Sequence, residues 1–142
     1  MIRSDRYLES EVETASPHRL HLIVVDAAIR HGRAARAALE AGDREQAHAA
    51  LSKCRDLVGE LIGGLDPTHA PNMIERLKAL FVFAYRNCAE AEARQSPQPV
   101  ADALRVLETH RETWIELGRL LLADGGRTTA PARVDSPHDW TT

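Results

Sequence analysis

At 142 residues, 44% hydrophobic and 27% charged, the chain is long enough to bury one core and too short for two domains of usual size. Lys and Arg number 18 against 21 Asp and Glu, and the net charge of -3 excludes a general attraction to phosphate backbones, so nucleic acid is not an expected partner. The opening Met1-Ile2-Arg3-Ser4-Asp5-Arg6 has no apolar core of signal-peptide length and no window reaches a membrane span, so the expected location is the cytoplasm.

Residues 1–15 are expected to form an N-terminal arm, in which 4–13 make a short helix or an extended segment offering Tyr7, Leu8 and Val12. Thr14-Ala15-Ser16-Pro17 then marks a helix start. Ser16 can accept the free N–H groups of the first turn, and Pro17 suits the first helical position because the N–H it lacks would have no partner there. The first helix runs to about Ala41, and Gly42 ends it.

Asp43-Arg44-Glu45-Gln46 has the form of a capping box, followed at three-and-four spacing by Ala47, Ala50, Leu51, Cys54, Leu57, Val58, Leu61, Ile62 and Leu65. After a connector from Asp66-Pro67 to Pro71-Asn72, a third helix turns Met73, Ile74, Leu77, Leu80, Phe81, Ala84, Cys88 and Ala91 inward. Ser96-Pro97-Gln98-Pro99 restarts the chain for a fourth, with Val100, Ala103, Leu104, Leu107, Trp114, Leu117 and Leu121 on one side and Gly125-Gly126 at its close. The spacing predicts an all-α protein: an antiparallel up-down four-helix bundle over 16–124, with a short N-terminal helix or arm before it and a disordered tail over 125–142.

Several chemistries have partial signals. A di-iron bundle needs carboxylates and Glu-x-x-His pairs from several helices, and only Glu45 with His48 has that spacing. His18 and His21 lie three apart at a helix start that reads as solvated. His31-Gly32-Arg33 is the nearest approach to a phosphotransfer histidine, and Arg105 with His110 has the spacing of a HEPN-like helical Arg/His ribonuclease, although Val106 stands where a polar residue usually follows the Arg. Both remain alternatives to a binding protein, with a solvated helix face the plain reading of each. Cys54 and Cys88 fall on apolar stripes and read as packing residues, with a disulfide or reactive thiol the other option. No metal, cofactor or catalytic constellation is expected.

Helix one carries more apolar surface than a single stripe. Leu20, Ile23, Val24, Ala27 and Ala28 form one line, and Leu22, Val25 and Ile29 a second on an adjacent face. Val82 and Tyr85 likewise lie away from the Leu77, Phe81, Ala84, Cys88 line of helix three. The second stripe is expected either to lie under Tyr7, Leu8 and Val12 or to be open to another chain.

From Tyr7 to about Leu117 the sequence resembles the flagellin export chaperone family (FliS). Tyr7, Val12, Thr14-Ala15-Ser16-Pro17, Leu20, Asp26, Ala28 and Ile29 match its opening, Leu61 and Leu65-Asp66 the end of its next helix, and Val106, Leu107, Arg111 and Trp114 its last helix. Departures are Val25 and Ala27 for a usual Tyr and Gly, Ala70-Pro71 for a Gly-Gly pair, Phe81 and Phe83 for a Tyr-x-Tyr pair, and Glu92 where an Ala-Asn pair normally closes the helix. The resemblance implies a non-enzymatic cytoplasmic chaperone that binds the disordered C-terminal segment of flagellin in apolar grooves, prevents its premature polymerisation and keeps it fit for export. It also implies contact with flagellar export gate components, a monomer or weak homodimer, and a client site drawn from Tyr7, Leu8, Leu22, Val25, Asp26, Ile29, Phe81, Val82 and Tyr85.

Overall fold

The computed structural model describes residues 16–127, which form four helices: α1 (Pro17–Glu40), α2 (Arg44–Gly63), α3 (Pro71–Arg94) and α4 (Pro97–Arg127). No strand occurs among the described residues. The ends follow local chemistry. The Ser16 side chain accepts the Arg19 N–H at 3.1 Å and Asp43 accepts the Gln46 N–H at 3.1 Å, each supplying a partner that the first turn lacks. Gly42, at φ +74°, turns the chain out of α1 in the left-handed conformation that only glycine adopts without strain.

The connectors 41–43, 64–70 and 95–96 are short, so consecutive helices run antiparallel. α2 packs on α1 and α3, and α4 packs on α3 and closes the ring against α1. The interior is one cluster that includes Val25, Ile29, Leu51, Cys54, Val58, Phe81, Cys88, Val100, Leu104 and Leu107. Alanines 28, 35, 47, 84 and 91 lie fully buried among them, which lets the helix axes approach closely.

Two expectations change here. Val25 and Ile29, placed by sequence on an outer stripe of helix one, belong to the interior cluster, at 0% and 4% exposure, and Phe81 is also fully buried. The reason is geometric: α1 has two neighbours, α2 and α4, so a wide apolar face is consumed by two helix contacts. Only Leu22 of that second stripe stays half-exposed. The second change is at the far end, where α4 continues through Gly125-Gly126 to Arg127, because glycine lowers helix propensity by only about 1 kcal/mol and does not forbid a helix. The arm over 1–15, with Tyr7, Leu8 and Val12, and the tail beyond Arg127 lie outside the described residues.

Ala70, standing where the resembled family has a Gly-Gly pair, precedes Pro71 with φ +43° and ψ 59°. A Cβ in that left-handed region costs about 1–2 kcal/mol. Ala70→Gly is therefore expected to raise the stability to chemical denaturation by up to about 1 kcal/mol, the greater freedom of glycine in the unfolded chain offsetting part of the gain. Ala84→Gly, inside α3, should instead lose at least about 1 kcal/mol.

Candidate functional site

Trp114 is the hub of a cluster that joins α1, α3 and α4. Its indole N–H donates to the His18 carbonyl oxygen at 3.0 Å, and the His18 ring stacks on it at 5.0 Å between centroids. A Cβ on Gly118 would lie only 2.4 Å from His18 Nε2, so the absent side chain at 118 is what lets that ring lie against α4. His21 and His110 face each other with their Nε2 atoms 2.8 Å apart, and the Phe81 ring meets His110 edge-on at 5.1 Å. One of the two imidazoles donates and the other accepts, which requires at least one neutral ring.

Burial, reinforced by the nearby His110 and His18, pushes the His21 pKa down to about 3, and burial alone takes His110 to about 4. Both are neutral near pH 7. Sequence reasoning read His18 and His21 as a solvated helix start and His110 as a solvated face; the structure makes them an interhelical cluster, with His110 at 5% exposure. The signal available in the sequence was register, since His21 lies four residues before Val25 and His110 four before Trp114, each on its helix's buried face.

On either side of this cluster lies an apolar trough. The α3–α4 trough, about 500 Å³, is lined by Met73, Leu77, His110, Trp114, Leu117 and Leu120, with Glu112, Thr113 and Glu116 at its edge. The α1–α4 trough, about 520 Å³, is lined by Leu22, Ile115, Gly118, Leu121 and Leu122, with Ser16, His18, Arg19 and Arg119. Leu120 and Leu122 are 58% and 79% exposed. Farther along α1 and α4, a cavity of about 630 Å³ is polar, lined by Asp26, Ile29, Arg30, Arg33, Glu108, Arg111 and Glu112. It is crossed by ion pairs from Arg111 to Asp26 and, at 2.7 Å, from Arg33 to Glu108.

The residues expected at a client site therefore scatter. Leu22 lines a trough; Asp26 ties α1 to α4 through Arg111; Val25, Ile29 and Phe81 are interior. Val82 is half-buried and Tyr85 is exposed, its ring lying beside Gly59 of α2. Tyr7 and Leu8 lie outside the described residues. Met73, Leu117 and Leu120 were read only as inward residues or passed over, because sequence spacing does not reveal that α4 outruns its neighbours' cover.

The other chemistries find no assembly. Arg105 is exposed and bonded to Asp102 at 2.5 Å while His110 is buried against His21, since positions five apart on a helix differ by about 140°. His48 pairs with Glu92 on α3, which also takes Arg55 at 2.8 Å, rather than standing with Glu45. His31 is half-buried, with burial, Arg30 and Lys53 holding its pKa below the ordinary value. No group of three or more His, Cys, Asp or Glu suited to a metal occurs among the described residues. Cys54 and Cys88 are buried free thiols, and the hydrogen bond with Cys88, together with burial, pushes the Cys54 thiol well up.

The flagellar protein FliS family matches residues 2–120. The flagellar secretion chaperone FliS of Salmonella typhimurium (strain LT2) is 30% identical over 111 residues, which cover 78% of this chain and 82% of that protein.

Because His21 and His110 have depressed pKa values when folded, near 3 and 4, the unfolded chain binds more protons below the ordinary histidine pKa of about 6.5. Stability should be full above that pH and fall as the pH drops from about 6.5 towards 4, each histidine contributing up to about 1.4 kcal/mol per pH unit. Urea unfolding across that range should show the slope; His110→Leu should remove that residue's share of it and, by leaving His21 buried without its partner, also lower stability above neutrality by about 1–3 kcal/mol.

Proposed function

The chain belongs to the flagellar protein FliS family, and on that premise we propose that it is a flagellar secretion chaperone that holds the disordered C-terminal segment of flagellin against the troughs beside α4. The observation that supports this reading is the pair of apolar troughs flanking one helix, of about 500 and 520 Å³. Their Met73, Leu120 and Leu122 are exposed and stand outside the interior cluster.

A disordered segment that folds on binding loses several kcal/mol in ordering, so it must bury on the order of 1,000 Å² or more to bind well. One trough is short for that. Two troughs separated by Trp114 and His18 allow a segment to lay successive apolar turns on both flanks of α4. A flagellin tail held in this way cannot use the same residues to join a filament, which gives masking without a catalytic step. The complex would form in the cytoplasm and be handed to components of the flagellar export gate.

Among the residues that the family resemblance implies, Leu22 is the proposed direct contact within a trough. Val82 and Tyr85 supply a further outer patch, and Tyr7 and Leu8 a contribution from the arm. Val25, Ile29 and Phe81 act through the interior, and Asp26 acts through Arg111 by holding α1 and α4 in register.

Light scattering after size exclusion, with calorimetry, tests the reading. Purified protein and flagellin should form a one-to-one complex. Leu22→Asp and Leu120→Asp should each weaken it at least tenfold, about 1.4 kcal/mol, with the unfolding midpoint nearly unchanged. Phe81→Ala should instead cost about 3–5 kcal/mol of stability. Absence of any complex at tens of micromolar, or an affinity in both Asp variants unchanged from that of the parent protein, overturns the assignment.

A further inference from the structure

The interior holds a pair of nucleophiles that the chaperone reading leaves unused. Cys54 of α2 and Cys88 of α3 are both unoxidised, at 1% and 0% exposure, with their sulfurs 3.6 Å apart. The contact is directed: Cys88 Sγ donates to Cys54 Sγ, and Cys54 Sγ donates to the Ala28 carbonyl oxygen at 3.3 Å. The neighbours on this side are mixed in size. A Cβ built on Gly32 would be 3.6 Å from Cys54 Sγ but 2.8 Å from Leu104 Cδ2, and Ala28 and Ala84 belong to the same interior cluster.

We infer that Cys54 and Cys88 are an intramolecular oxidation site, a latent disulfide that staples α2 to α3 when a small peroxide reaches the core. A disulfide needs the sulfurs at about 2 Å, so from 3.6 Å they must close by roughly 1.6 Å, a movement within reach of side-chain rotation and slight helix adjustment. Of the two sulfurs Cys88 is the one drawn towards the thiolate, by the Cys54 hydrogen bond first and, against burial, by Arg55, whereas Cys54 is pushed up. Hydrogen peroxide, uncharged and close to water in size, is the class of oxidant that local opening of the bundle would admit.

The chemistry balances with peroxide as the two-electron oxidant. One sulfur attacks a peroxide oxygen, the O–O bond breaks, and the departing hydroxide takes the thiol proton to leave a sulfenic acid and water. The second sulfur then displaces the sulfenic hydroxyl, forming the S–S bond, and its own proton leaves with that hydroxyl as a second water. The crosslink closes the chain across the α2–α3 connector, which restricts the unfolded state and stabilises the bundle.

The test is made on the native full chain with hydrogen peroxide, quenched by catalase and then analysed by intact mass, thiol titration in denaturant and thermal unfolding. The expected product is a monomer lighter by two hydrogen atoms, without titratable thiols and with a raised unfolding midpoint that dithiothreitol returns to its starting value. Cys54→Ala and Cys88→Ala should each abolish the two-hydrogen loss. Gain of oxygen on the thiols without a crosslink, disulfides formed only between molecules, or a crosslink that forms only in denaturant overturns the inference.

Discussion

Every helix of a four-membered ring must satisfy two neighbours at once, and that demand organises the rest of this molecule. It explains why α1 is apolar on two adjacent lines, with Val25 and Ile29 absorbed by the core while Leu22, near the N-terminal end, is left half-exposed. The same demand is relaxed along the C-terminal half of α4. There Leu120 and Leu122 face outwards beside troughs instead of being closed in by a partner helix. Apolar surface left open at one end of an otherwise well-filled bundle is the kind of surface that marks a site for another chain.

Polar ties on the outside fix how the ring closes without supplying much of its energy. The Asp26–Arg111 and Arg33–Glu108 pairs both join α1 to α4, and Glu92 joins α3 to α2 through His48 and Arg55. Arg33 and Arg111 are 60% and 41% exposed, and pairs so exposed contribute about 0–1 kcal/mol each. Their physical contribution is register. Asp26, the acidic residue that the family resemblance singles out, has in this structure a bond within the bundle, and the stabilisation of Glu92 as a carboxylate by His48 and then Arg55 serves the same purpose on the opposite side.

Much of the architecture was legible because it is written in local signals. Ser16-Pro17, Gly42-Asp43 and the three-and-four spacing of α2 specify ends and faces through backbone hydrogen bonding and helical period alone. The site was much less legible. Whether Leu22 or Val25 reaches the surface depends on where the neighbouring helix axis passes, which no window of sequence contains. The histidines were misread for the opposite reason: a ring with an ordinary pKa near 6.5 belongs in water, but His21 and His110 satisfy one another at 2.8 Å and so can be buried neutral.

That histidine pair also bears on how the two troughs behave together. His110 and Trp114 line the α3–α4 trough, whereas His18, stacked on Trp114, lines the α1–α4 trough. The partition between the troughs is thus only a few rings thick, held by Trp114's bond to the His18 carbonyl and given room by Gly118. Rings packed this closely transmit displacement, because close-packed interiors have little free volume to absorb it.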